Sequence, residues 1–378
     1  MSERRSEGDR VTAPDPSVTG PAVAPEAPAP DPANLVCPAP IPERARVLLG
    51  HGSGGQLSAA LMRDVIGPAL ASAAPGGPLN DAAVVEVAAG RLAFTTDSFV
   101  VSPLEFPGGD IGELAVFGTV NDLAMMGAQP LALSLAYVIE EGLPIDDLRK
   151  ITESVARAAG RAGVKIVTGD TKVVDRGAAD GLFVNTAGIG LVAAGISVGA
   201  DRAAVGDAVI LSGPIGLHGI AIMSVREGLD FEVEIESDTQ PLNGLVAAIV
   251  AACPDVRVLR DPTRGGLASA LNEIATASGV GIELREETIP IPGPVHAACE
   301  MLGLDPLHVA NEGKLVAIVP ADRAAAVVAA MRAVESGADA VEIGRVVSDH
   351  AGMVTMRTIV GSQRIVDMMV GEQLPRIC

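Results

Sequence analysis

From Ala82 onward the chain alternates strand-length and helix-length segments, and it does so twice. AAVVEVAA (82–89) and RLAFTTDSF (91–99) read as strands about a turn at Gly90, and DIGELAVFGTVNDLAMMGA (110–128) reads as a helix. LALSLAYVIE (131–140) is a strand, DDLRKITESVARAAGRAG a helix, and VKIVTGD and LFVNTAGIGLVAA are strands again. After a linker turn, DRAAVGD (201–207), the alternation resumes through AVILSG, GLHGIAIMSVREGL, GLVAAIVAAC, GGLASALNEIATASG, GIELREE, KLVAIV and AVEIGRV. Strands interleaved with helices that must cover them predict an α/β fold in two domains, 43–200 and 201–360, and 378 residues give each an ample core.

The flanks break the pattern. Residues 1–42 hold many of the 27 prolines among Ala, Asp and Glu, a composition that buries too little apolar surface to offset chain entropy; a disordered or polyproline-like extension is expected. At the other end GSQRIVDMMVGEQLPRIC has no strong period, and Pro375 denies the last residues a helix, so 361–378 reads as a mobile tail. It ends on Cys378, a thiol with no residue beyond it to complete a metal-ligand pair.

A net charge of −20 repels phosphate backbones, and a chain with no Trp and one Tyr offers no stacking platform; nucleic acid is not expected as a partner. The four cysteines show neither CxxC nor zinc spacing and read as reduced thiols. No apolar run is long enough for a membrane span, and MSERRSEGDR is no signal peptide, so the expected location is cytoplasmic.

Several strings carry candidate chemistry. LGHGSGGQL places Gly52, Gly54 and Gly55 before a helix, as either an anion-cradling turn or an ordinary flexible one. Asp81, Asp97, Asp122 and Asp170 stand against apolar strands or within a helix of small residues, where an ionised carboxylate is costly unless paired, hydrated or bound to a cation. As single residues they are equally well caps or turns; together they suit Mg²⁺ bridging nucleotide phosphates. In RDPTRGGL, Asp261 and Thr263 precede a helix, with capping favoured over anion binding on local grounds. Glu312 of ANEGK is a general base or, more commonly for such a string, a solvated turn residue. His218 and His296, in apolar helical surroundings, read as structural.

Taken in order, TTDSFVVSPLEFPGGDIGELAVFGTVNDLAMMGAQP, VTGDTKVV, NTAGIG, RDPTRGGL, NEGK and the terminal PRIC resemble the HypE family of carbamoyl dehydratases, in the PurM-like superfamily of aminoimidazole ribonucleotide synthetase. The resemblance runs from about residue 45 to the C-terminus. It implies a homodimer whose first domains pair through their sheets, with ATP in the cleft between domains and Mg²⁺ on Asp81, Asp97, Asp122 and Asp170. It further implies nucleotide contacts from Gly52, Gly54, Gly55, Asn121, Thr171, Asn185 and Asp261. Asn80 stands where relatives often carry a second carboxylate, which leaves the number of metal ions open.

In that family the terminal cysteine, matched by Cys378, receives a carbamoyl group from the carbamoyltransferase HypF. ATP then drives dehydration to a thiocyanate, and the cyanide passes to iron on the HypC/HypD scaffold for [NiFe] hydrogenase. Resemblance places Glu312 and Lys172 facing the docked cysteine, either as base and electrostatic support or as a pair sharing a proton. The alternatives are another ATP-using relative, of the thiamine-monophosphate kinase or selenophosphate synthetase type, or a non-catalytic carrier. HGSGG holds neither the Cys nor the Lys the selenium enzyme would be expected to carry there.

Overall fold

In the computed structural model the described residues are 55–66, 80–87, 90–228, 235–369 and 377. The expectations for residues 1–42, Gly52, Gly54 and Cys378 lie outside them. After a short helix α1 (Gln56–Leu61), strands β1 (Ala83–Val87) and β2 (Gly90–Phe99) form an antiparallel pair around Gly90, whose φ of 133° is open to glycine. A small hairpin, β3 (Glu105–Phe106) and β4 (Gly109–Asp110), leads into helix α2 (Ile111–Met125). The Asp110 carboxylate caps that helix, accepting from the amides of Gly112 at 2.7 Å and Glu113 at 3.0 Å.

β5 (Ala128–Glu140), α3 (Ile145–Ala162), β6 (Lys165–Val174) and β7 (Leu182–Val192) complete the first lobe. Its sheet runs β1-β2-β7-β5-β6, antiparallel except for the β5/β6 pair. Alternation fixes the faces: β7 buries Leu182, Val184 and Thr186 and turns Asn185, Ile189 and Leu191 outward. Helix α2 lies on the inner face, apolar on nearly every side because it is covered all round. The approach is close: a Cβ on Gly118 would sit 2.8 Å from the Phe99 ring, and one on Gly112 2.6 Å from the Ile151 carbonyl.

The second lobe contains β8 (Ala208–Leu211), α4 (Leu217–Arg226), α5 (Asn243–Ala252), β9 (Val258–Arg260), α6 (Gly266–Ser278), β10 (Gly281–Arg285), α7 (Gly293–Leu302), β11 (Val316–Val319), α8 (Ala324–Arg332), β12 (Val341–Val347), β13 (Val354–Arg357) and β14 (Gln363–Val366). They build a seven-stranded sheet, β14-β13-β10-β12-β8-β11-β9. One core joins the lobes: Val116, Val120 and Leu123 of α2 pack with Leu245 and Ile249 of α5 and with Ala317 and Val319 of β11. The stretch from Glu43 to Cys378 accordingly forms a single compact unit.

The tail begins later than expected. Residues 363–366 pair antiparallel with β13, Val366 is buried, and its carbonyl accepts from the Asn272 side chain at 2.9 Å. A four-residue edge strand exposing Gln363, Arg364 and Ile365 has too little apolar alternation to stand out in sequence.

Candidate functional site

The acidic residues converge where α2 crosses the inner face of the first sheet. Thr95, on the inner face of β2, donates its hydroxyl to Asp122 Oδ2 at 2.8 Å, with the Asp81 carbonyl 3.1 Å away as a second acceptor. From the second lobe Asp261 follows β9, and ligand atoms of Asp81, Asp122 and Asp261 all lie within 4.8 Å of one another. The preceding Arg260 is ion-paired with Asp81 at 2.9 Å and with Glu273 at 2.5 Å. Both lobes thus supply the cluster.

Its electrostatics are unfavourable as it stands. Burial, then the charges of Asp261, Asp81 and Asp97, hold Asp122 well above the ordinary carboxylate range. Burial and Asp81 push Asp261 up to about 8, and burial raises Asp97 against the opposing pull of Arg264. Burial also raises Asp81, with Arg260 acting in the other direction. Three hard oxygen donors so close, with one guanidinium among them, form a donor set that a divalent cation such as Mg²⁺ would relieve.

Facing this cluster is the NEGK segment. Asn311 anchors it, accepting from the Gly216 amide at 2.7 Å and donating to the carbonyls of Pro262 and Val309 at 3.0 and 3.1 Å. The Glu312 amide donates to Asp238 Oδ1 at 3.0 Å, and Lys314 Nζ lies 3.6 Å from Asp238 Oδ2. Glu312 is 4% exposed, and its buried Oε1 finds no hydrogen-bond partner among the described residues. Burial, then Asp261, Asp238 and Asp97, raise its proton affinity well above normal. The solvated-turn reading is therefore corrected: the Glu312 carboxyl is an interior group tuned by the acidic cluster.

Two further expectations change. Asp261 and Thr263 do not cap α6: its N-cap is Gly265 in the left-handed region, with no side-chain cap, and a Cβ on Gly266 would meet the Leu307 carbonyl at 2.6 Å. The paired glycines serve close packing, which frees Asp261 for the cluster. Asn121 spends its amide between lobes, donating to the Gln240 carbonyl at 3.1 Å and, longer, to that of Glu312 at 3.4 Å, and accepting from the Leu242 amide at 2.8 Å.

Asp170, Lys172 and Asn185 are elsewhere. The register Ser98–Asn185–Ala136–Asp170 puts Asp170 three strands from Ser98, about 14 Å at ordinary strand spacing, on the outer face of the sheet. There it is exposed, paired with Lys172 Nζ at 2.6 Å and accepting from the Thr171 amide at 2.8 Å; the Lys172 contact holds its carboxyl below the usual range. Asn185 donates to the Asp97 carbonyl at 2.7 Å and to Ser98 Oγ at 2.9 Å. Within one chain this outer group does not join the acidic cluster. Gly55 is buried at the start of α1, and Gln56 next to it donates its amide to the Met369 carbonyl at 3.0 Å.

Sequence reasoning missed Arg260, Glu273, Asp238 and Lys314. Arg260 and Lys314 stand inside the quoted motifs RDPTRGGL and NEGK, and a cation close to a buried acid was the available signal. Asp238 and Glu273 left none, since their partners come from distant segments.

Two α/β lobes that share a core and an acidic cluster place the chain in a class: residues 79–192 match the N-terminal domain of AIR synthase related proteins, and residues 204–357 their C-terminal domain. Similarity narrows the class. The carbamoyl dehydratase HypE of Bradyrhizobium diazoefficiens is 56% identical over 333 residues, 87% of this chain and 95% of that protein. A crystal structure of HypE in complex with ATP is 46% identical with a TM-score of 0.75, covering 88% of this chain and all of that one. HypE in a HypE–HypF complex is 49% identical with a TM-score of 0.76, over 81% of this chain and all of that one. The chain belongs to the HypE family of carbamoyl dehydratases. Among the described residues no helix is long and apolar enough to cross a membrane.

Proposed function

We propose that this chain dehydrates a carbamoyl group carried on its own Cys378, using ATP, to make the cyanide ligands of [NiFe] hydrogenase iron. The observation that carries the reading is the pairing of a largely buried carboxylate cluster, drawn from both lobes, with buried Glu312. HypF is the source of the carbamoyl group, and a HypC/HypD iron complex the acceptor of the cyanide.

Removing water from R–S–C(O)NH₂ in solution fails because hydroxide leaves poorly. In the proposed route the carbamoyl oxygen attacks the γ-phosphorus and departs as phosphate; nitrogen loses its two protons and the products are R–S–C≡N, ADP and phosphate. Mg²⁺ held by Asp81, Asp122 and Asp261, with Asp97 beside them, would neutralise phosphate charge. Glu312 receives the first proton from nitrogen, and the departing phosphate takes the second. The raised proton affinity of Glu312 suits an acceptor working near neutral pH once cationic charge has entered the cluster. Asn311 and Asp238 hold its backbone, and the buried surroundings exclude competing water.

Pairing of two copies through the first sheet is supported by its outer face, where Phe94, Ile189 and Leu191 are exposed side by side in register. Asp170, Lys172 and Asn185 stand on that same face, so we assign Asp170 and Lys172 to the reaction only in the paired state. A heavy-oxygen label in the carbamoyl group tests the chemistry: it should appear in the released phosphate, and its appearance in water alone would overturn phosphoryl transfer.

A further inference from the structure

We infer that His218 is a positioning residue for the carrier tail: its imidazole grips the last peptide carbonyl before Cys378 and indexes that peptide to Glu312. The inference rests on the tail-carrier reading above. His218 is fully buried in the first turn of α4, and its Nε2 lies 2.7 Å from the carbonyl oxygen of Ile377, 159 positions away in sequence. A carbonyl only accepts, so Nε2 carries the proton, and Nδ1 accepts from Ser237 Oγ at 2.8 Å. The Ser237 hydroxyl is itself oriented by Thr239 Oγ1 at 2.6 Å. Phe106 packs edge-on against the ring, centroids 5.5 Å apart, which fixes its plane.

Ile377 is 3% exposed and packs in a core drawn from both lobes, with Phe99, Phe106, Ile111 and Leu114 on one side and Ile222 and Ala310 on the other. The apolar side chain supplies adhesion, but adhesion alone leaves the peptide free to slide or turn. The imidazole removes that freedom, because one donor of fixed direction meets one carbonyl. Cys378 is the next residue of the chain.

Both sides of the ring lead back to Glu312. On the Nδ1 side Ser237 is followed by Asp238, whose carboxylate takes the Glu312 amide. On the backbone side Gly216 and Gly219, which flank His218, donate their amides to Asn311 Oδ1 at 2.7 Å and to the Ala310 carbonyl at 3.1 Å. A closed circuit of short bonds through 218, 237, 238, 312, 311 and 216 therefore holds the imidazole donor and the Glu312 backbone at a fixed separation. This goes beyond the fold's need for a buried histidine, since a core imidazole has no reason to select the penultimate carbonyl of the chain.

The test uses the full-length protein and two substitutions. His218→Phe keeps a ring against Phe106 and removes the donor, whereas His218→Gln restores an N–H at comparable reach. Alkylation of Cys378 by iodoacetamide, followed on the C-terminal peptide, should quicken roughly tenfold in His218→Phe, the effect of losing one buried hydrogen bond, and return toward the parent rate in His218→Gln. In protein already carbamoylated, single-turnover dehydration should fall by a similar factor in His218→Phe and recover in His218→Gln, with ATP affinity and the final extent of carbamoylation unchanged. Should His218→Phe not fold, Ser237→Ala frees the ring to flip its tautomer and should release the tail in the same sense. Parent-like alkylation in a folded variant, or a Gln variant no better than Phe, overturns the inference. Faster alkylation with no dehydration in any variant would sustain His218's role and refute the dehydratase reading.

Discussion

Gly313, the glycine of NEGK, should tolerate no side chain. A Cβ there would lie 1.8 Å from the Asp238 carbonyl oxygen and 2.7 Å from Gln240 Cγ, so the two backbones must separate by about 1.5 Å to reach ordinary contact. That displacement strains the bond from the Glu312 amide to Asp238 Oδ1, a buried interaction with a carboxylate of about 1.5–3 kcal/mol. Overpacking adds about 1–3 kcal/mol, so Gly313→Ala should cost about 2.5–6 kcal/mol. A unit of about 330 residues unfolding together changes entropy by about 0.7 kcal/mol per degree, which converts the loss to a Tm lower by about 4–9 °C. Scanning calorimetry reads the shift, and single-turnover dehydration should fall with it because Glu312 is displaced. Gly244→Ala on α5, where a Cβ meets nothing within 4 Å, is the matched control and should be neutral or slightly stabilising. A Gly313→Ala protein melting within about 1 °C of the parent and dehydrating at the parent rate would refute the close-approach argument.

Three other outcomes follow from the same geometry. Asp122→Asn removes one charge from a self-repelling cluster, so in chelator it should melt about 1–2 °C higher than the parent while losing most of the stabilisation that Mg-ATP gives the parent; a lower Tm in chelator contradicts the repulsion. Burial lowers the proton affinity of His218, against the opposing pull of the Ile377 carbonyl and then of the Asp238 charge. Unfolded chains therefore take up a proton near pH 6.5 that the native ring refuses, and stability is lost as pH falls. Between about pH 7.5 and about pH 5.5 the parent should lose up to about 1.4 kcal/mol more than His218→Gln in urea unfolding, and equal losses would contradict it. Phe94→Asp combined with Ile189→Asp places charge on the outer sheet face and should halve the mass seen by light scattering, whereas an unchanged mass puts the pairing surface elsewhere.

The architecture was legible because hydrophobic period is a local signal. The longer strands and helices of the first lobe lie where alternation puts them, down to the Gly90 turn, whereas the two-residue strands β3 and β4 are too short to carry a period. The short edge strand at 363–366 was not, since its pairing with β13 comes from a neighbour rather than from its own pattern. In the site, Asp81 and Asp122 stood out as carboxylates in apolar strings, but sequence gave no depth: Glu312 in a glycine-bearing turn looks solvated until the second lobe closes over it. Asp261 looked like a cap because Asp and Thr before a helix usually are, and only the contact of Gly266 with the Leu307 carbonyl shows why the glycines are there. His218 was rightly read as buried in an apolar helix, yet its partner is set by the return of the far end of the chain.

The central claim is that Cys378 carries the substrate through an ATP-driven dehydration. Carbamoylated protein mixed with Mg-ATP, quenched at intervals and examined by mass spectrometry of the C-terminal peptide, tests it most directly. Loss of one water from the Cys378 adduct in step with release of one ADP is the expected result. An adduct that persists while ADP is released, or that loses water without ATP, would contradict it.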